Sequence, residues 1–188
     1  NVTGKRVATM SIGWMNAGPY DGTGSINTIV NNAQAAGIFW ANSAGNYQKQ
    51  HYSGTSVQYS GGNSVAFGVG NLNVFGPSSG LVWSIASGTR LSILLEWNDW
   101  NAGRTGNQNH IDYDLELYYY LGGYWYFETG SYGNQCTNTI MPTEGIDFTT
   151  TLATTYYAIA IRRDQGSGAC PNNFGHWIDI YPMNGFFS

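Results

Sequence analysis

His110-Ile111-Asp112-Tyr113-Asp114-Leu115-Glu116-Leu117, continued by Tyr118-Tyr119-Tyr120, is the stretch that sets the architecture of most of this chain. Side chains alternate between the two faces of a strand, so Asp112 and Asp114 share a face. From Leu115 onward the run is built, apart from Glu116, of apolar and aromatic residues that suit a pleated surface. Comparable runs recur on both sides: Val65-Ala66-Phe67-Gly68-Val69, Leu81-Val82-Trp83-Ser84-Ile85, Leu91-Ser92-Ile93-Leu94-Leu95-Glu96-Trp97, Trp125-Tyr126-Phe127, Thr155-Tyr156-Tyr157-Ala158-Ile159-Ala160-Ile161 and His176-Trp177-Ile178-Asp179-Ile180-Tyr181. Val57-Gln58-Tyr59-Ser60 also alternates like a strand and ends at Gly61-Gly62. Gly-, Asn- and Ser-rich turns separate these runs, and no stretch after His51 has helical periodicity. The expectation for residues 51–188 is an antiparallel β-sandwich, jelly-roll-like in type.

The first 50 residues read differently. Val7-Ala8-Thr9-Met10-Ser11-Ile12-Gly13 is β-rich and ends in glycine, and a turn-rich stretch follows from Asn16 to Gly24. Ser25 is placed to cap a helix whose apolar positions Ile26, Ile29, Val30, Ala33 and Ala36 have helical spacing, with Gly37 as its stop. Phe39 and Trp40 belong to a second strand. This is one βαβ unit, with parallel strands and a right-handed crossover. The second strand runs into Ala41-Asn42-Ser43-Ala44-Gly45-Asn46. An asparagine amide at such a small-residue turn can donate a hydrogen bond to a developing oxyanion; the plain alternative is an ordinary Gly-Asn turn.

Composition narrows the function classes. The chain has 188 residues, of which 26 are Gly, 14 are Tyr and only 10% are charged. An average soluble domain carries about 25% charged residues, so this balance suits a secreted or cell-surface β-rich protein. The formal charge of -4 argues against a nucleic-acid partner. No apolar run approaches the roughly 20 residues of a membrane helix, so no membrane span is expected. No signal peptide is visible, and Asn1-Val2-Thr3 fits the glycosylation sequon.

Two groups of residues carry further chemistry. Asn98 and Asp99, across a Gly-rich loop from Asp112 and Asp114, can complete an oxygen cage for calcium; the alternative is a solvated pair of aspartates. Calcium is the only cofactor expected. Cys136 and Cys170 lie in polar loops, and one disulfide between them is expected, with two free thiols as the alternative. His51, His110 and His176 have no nucleophile at catalytic spacing and read as structural. Trp97, Trp100, Tyr118, Tyr119, Tyr120, Trp125 and Tyr126 are mostly core by alternation, although the three consecutive tyrosines cannot all face one side.

Met10-Ser11-Ile12-Gly13, the helix ending Ala33-Gln34-Ala35-Ala36-Gly37, and Ser43-Ala44-Gly45-Asn46 together resemble the central part of the subtilisin-like serine peptidases. The resemblance implies that Ser11, Ile12 and Gly13 line the substrate cleft and that Asn46 is the side-chain donor of the oxyanion hole. It covers about the first 50 residues. The family's Asp and His motifs lie upstream of this segment, and Gly54-Thr55-Ser56 is a poor match to its nucleophile motif because Val57-Gln58 follow. Leu95-Glu96-Trp97 with Asp112-Tyr113-Asp114-Leu115-Glu116-Leu117-Tyr118 resembles the pre-peptidase C-terminal domains of secreted bacterial peptidases. The joint expectation is a portion of a secreted subtilase, carrying the oxyanion Asn and an inserted sandwich, not catalytic as an isolated chain. Its partner is then the remainder of a peptidase chain. Two alternatives stand beside it: a structural or adhesive subunit whose partners are copies of itself joined by strand exchange, and a carbohydrate-binding module.

Overall fold

The computed structural model describes residues 4, 6–15, 17–19, 22–43, 51–67, 70–75, 83–100, 110–136, 141–164, 170–171 and 173–183. The chain divides into two compact units, Asn1–Gln48 and Lys49–Ser188.

In the first unit β1 (Arg6–Met10) and β2 (Ile38–Asn42) run parallel, with α1 (Gly24–Ala35) between them in the chain. Strand alternation divides the pair into two faces. Ala8, Met10, Ile38 and Trp40 are half-buried on one, as are Ile26, Val30 and Ala33 of α1. Val7 and Phe39 stand opposite each other in register on the other face, 63% and 67% exposed. The helix stops as expected: Gly37 takes φ +75 and donates its N–H to Gln34 O at 2.9 Å. Its start differs from the expected Ser25 cap. Thr23 is the N-cap, without a side-chain capping bond. Gly24, at φ +92, turns the chain into the helix, a conformation that costs glycine nothing and strains other residues.

The second unit contains β3 (Tyr52–Thr55), β4 (Asn73–Val74), β5 (Ser84–Ile85), β6 (Arg90–Trp97), β7 (Tyr113–Leu121), β8 (Tyr124–Ser131), β9 (Thr143–Thr149), β10 (Thr155–Arg163) and β11 (Trp177–Pro182). All their pairings are antiparallel. One sheet has the order β4-β10-β7-β8, with β5 also on β10; the other has the order β3-β11-β6-β9. The i, i+2 spacing of apolar residues aims Leu91, Ile93, Leu95 and Trp97 of β6 at Tyr113, Leu115 and Leu117 of β7, and Ile159, Ile161, Ile178 and Ile180 complete the same buried core. Trp97 meets Tyr113 edge-on at 5.4 Å, joining the two sheets. Each such side chain contributes about 1.5–3 kcal/mol relative to an exposed one. A disulfide links Cys136 to Cys170, with Cα atoms 5.3 Å apart and a sequence separation of 34. A loop of that length is worth on the order of 3–4 kcal/mol.

Three local expectations change. Residues 57–60 form no strand: Gln58 makes one bridge to Val65, and the chain reverses at Ser60 (φ +46) and Gly61 (φ +73). The run beginning at Val65 contributes isolated bridges instead of a strand, because Ser64 pairs with Arg162 and Phe67 turns back onto Gly70. The strands β3, β4 and β9 appear where no apolar run signals them. In β9, Glu144, Ile146 and Phe148 point inward and Gly145 and Asp147 outward, so a buried carboxylate occupies one of the inward positions.

Candidate functional site

The parallel pair of the first unit brings its carboxyl ends together. Ser43 N donates to Met10 O at 2.9 Å, and Asn42 Nδ2 donates to Ile12 O at 3.3 Å. Ser11, Ile12 and Gly13 are therefore held beside the end of β2 and are exposed, Ile12 to 51%. Asn46, with Ala44 and Gly45, lies outside the described residues. A cavity of about 380 Å³ opens beside these strand ends, walled by Trp14, Pro19, Ile26, Val30, Trp40 and Asn42 among others. In open α/β sheets the carboxyl ends of the strands are where ligands bind.

In the second unit the outward face of β7 carries an acidic row. Asp112 is 1% exposed and packed under the segment that leads to the disulfide. Burial raises its pKa to about 6 against the opposing backbone N–H groups of Gln135 and Cys136, and Asp164 and Glu144 push it the same way as burial. Asp114 is raised to about 7, first by burial and then by Asp112, Asp164, Glu144 and Glu116. Glu116, almost fully buried, accepts from Tyr118 Oη at 2.7 Å, Tyr132 Oη at 3.3 Å and Arg162 Nη1 at 3.1 Å. Glu144 accepts from Gly133 N at 2.6 Å, Gln135 Nε2 at 2.7 Å and the Ser131 hydroxyl.

The expected calcium ligands are used in two different ways. Asn98 Oδ1 accepts Trp177 N–H at 2.8 Å. Asp99 Oδ2 accepts Ile111 N–H at 2.9 Å and lies 3.2 Å from His110 Nδ1. Those oxygens tie the entry of β7 and the start of β11 in place. Among the described residues no group of three or more His, Cys, Asp or Glu side chains is placed to hold a metal ion.

Ser56 is 1% exposed. Its Oγ accepts the N–H groups of Gly175 and His176, each at 3.1 Å, and shares a hydrogen bond with Tyr113 Oη at 2.8 Å. The same phenol lies 3.4 Å from His176 Nδ1, and burial lowers the His176 pKa while Asp99 opposes that shift. Ser56 is a latch between the end of β3 and the start of β11. A fluorophosphonate probe should leave it unlabelled. Ser56→Ala should lower unfolding stability in urea by about 1–3 kcal/mol, since a buried phenol and two N–H groups lose a partner.

Sequence reasoning passed over Glu116 and Arg162 as members of the acidic row, and Trp14 and Trp40 as cavity walls. The period of two that joined Asp112 to Asp114 extends to Glu116 and was the available signal. No protein-family model matches this chain, and a search of the curated proteins finds no similar sequence.

Proposed function

We propose that the chain is a portion of a secreted subtilisin-like serine peptidase, in which a piece of the catalytic α/β domain leads into an inserted β-sandwich. The observation that carries this reading is the unfinished first unit. A parallel sheet is normally covered on both faces, yet no described residue of the first unit is fully buried and the Val7–Phe39 pair faces outward. The unit has the form of a fragment that further parallel strands and a second helical layer would complete. Its joined strand ends lie where such folds place their sites. Asn46, by resemblance, would donate to the tetrahedral oxyanion, Ser11, Ile12 and Gly13 would lend backbone groups to the substrate, and the acid, base and nucleophile would come from the partner segments of the peptidase chain.

The sandwich is read as jelly-roll-like. With β5 set aside, the first of the eight strands among the described residues pairs with the last (β3 with β11), the second with the seventh (β4 with β10), the third with the sixth (β6 with β9) and the fourth with the fifth (β7 with β8). Rolling up one long hairpin produces that nesting. A disulfide is consistent with a secreted or cell-surface location, and no helix among the described residues is long and apolar enough to cross a membrane. The calcium proposal contracts to Asp112 and Asp114, where a cation would offset the mutual repulsion of the row.

The test is complementation. The chain is co-expressed with an upstream segment bearing the Asp and His motifs of a subtilase and a downstream segment bearing its serine, and hydrolysis of a chromogenic peptide is measured. Activity that needs all three parts supports the reading. Stable, inactive polymers of the chain alone would favour the self-assembling structural subunit.

A further inference from the structure

The outward face of the sheet β4-β10-β7-β8 is unusual for an isolated sandwich. Beyond the acidic row, Tyr118 and Tyr120 of β7 continue it, and their ring partners lie on the same face: Phe127 against Tyr118 at 5.9 Å, Trp125 against Tyr120 at 5.2 Å and Tyr156 against Tyr120 at 6.0 Å. Phe127, Tyr132 and Tyr156 are 50%, 55% and 38% exposed. Apolar surface grouped in this way on a soluble domain marks an interaction site.

What separates this face from a greasy patch is its organisation from beneath. Glu116, buried under it, anchors three surface side chains at once: the Tyr132 and Tyr118 phenols and the Arg162 guanidinium. The Tyr132 ring lies over Gly130, close enough that a Cβ there would stand 2.5 Å from ring atoms. A glycine at that position lets the ring rest on the sheet. The Arg162 side chain remains 52% exposed while its Nη1 pairs with Glu116 at 3.1 Å, so the guanidinium is tethered at the surface and stays partly open to solvent. Burying a carboxylate is costly unless its partners satisfy it, and here the satisfied carboxylate leaves a flat ring and a fork of donors preset at the surface.

We propose that this face binds a neutral polysaccharide, with Tyr132 stacking on the C–H face of a sugar ring, Arg162 and the Tyr118 phenol meeting its hydroxyls, and Phe127 and Tyr156 extending the apolar contact to neighbouring sugars. The ligand class follows from the chemistry of the face. Aromatic rings match the apolar faces of pyranoses, oriented donors match hydroxyl oxygens, and the balanced Glu116–Arg162 pair offers no net charge for an ionic ligand. The acidic row at the end of the face, with a chain charge of -4, repels nucleic acid and anionic lipid. The proposal does not depend on the peptidase reading.

Affinity electrophoresis of the whole chain in gels containing hydroxyethylcellulose, xylan or soluble starch, with sedimentation on insoluble cellulose and chitin, is the experiment; gelatin serves as the polypeptide control. Retention by at least one polysaccharide is expected, weakened tenfold or more in Tyr132→Ala and preserved in Tyr132→Trp. Arg162→Lys, which keeps the ion pair with Glu116 but loses the fork, should weaken retention several-fold. Tyr124→Ala, on the opposite face of the β7–β8 hairpin, should leave it unchanged. Near-UV circular dichroism identifies any variant that has lost its fold. No retention of the parent chain on any polysaccharide, retention by gelatin alone, or equal retention of a folded Tyr132→Ala would each overturn the proposal.

Discussion

Asn46→Ala in the complemented peptidase is expected to lower kcat by about 10²–10³ with little change in KM, the loss that follows removal of one oxyanion donor. In the proposed role the amide of Asn46 would act when negative charge develops on the carbonyl oxygen, and much less when the substrate first binds. The substitution therefore removes an interaction made in the transition state, and kcat and kcat/KM fall together. Steady-state kinetics on one chromogenic peptide, with Asn46→Asp and Asn46→Gln alongside, check this. An aspartate of similar size places a negative charge against the oxyanion and should not rescue. Equal rates for the parent and Asn46→Ala would remove Asn46 from the mechanism while leaving the fold of the first unit unaffected.

The second large effect is on stability and concerns pH. Asp112 and Asp114 hold protons up to about pH 6 and 7 in the folded chain, whereas an unfolded aspartate releases its proton near 3.9. Between those limits the folded state binds more protons than the unfolded state, so stability falls as pH rises. The contribution is greatest below about pH 4 and is lost as the pH passes through 6 and 7. The two groups repel each other and titrate together, and the loss between pH 5 and 8 should be on the order of 2–4 kcal/mol. Urea unfolding followed by tryptophan fluorescence should give a lower midpoint at pH 8 than at pH 5. Asp114→Asn should raise the midpoint at pH 8 and flatten the profile. Millimolar calcium at pH 8 should recover part of the loss through the Asp112–Asp114 pair; a midpoint indifferent to calcium would remove that pair as a calcium site. A profile rising from pH 5 to 8 would contradict the burial of both carboxylates.

These two predictions draw on different kinds of information. The role proposed for Asn46 rests on the order of short motifs along the chain, and its surroundings lie outside the described residues. The behaviour of Asp112 and Asp114 comes from what folds over them. In sequence they are two aspartates on one face of a strand, equally readable as solvated side chains or calcium ligands. The segment from residue 131 to 136 decides otherwise, by laying the N–H groups of Gln135 and Cys136 against Asp112. The same holds for Asn98 and Asp99, whose oxygens are used by the backbone N–H groups of Trp177 and Ile111, 79 and 12 residues further along the chain.

The amino-acid sequence alone determined the elements whose signal is local. A period of two in β6, β7, β10 and β11 fixed both the strand and its inward face, because apolar side chains on alternate residues have only one way to leave water together. The period of helix α1 and its stop at Gly37 were legible for the same reason, as was the mainly antiparallel β character of residues 51–188. Tertiary structure decided what depends on partners distant in the chain. β3, β4 and β9 carry too few apolar residues to announce themselves and are strands because neighbouring edges supply their hydrogen bonds. Ser56 became a latch because Tyr113 and the start of β11 converge on it. Glu116 became the anchor of a surface face because Arg162 and Tyr132, 46 and 16 residues away, reach it from two directions. Local periodicity records which side of an element avoids water; it carries no record of which polar groups meet once those sides are joined.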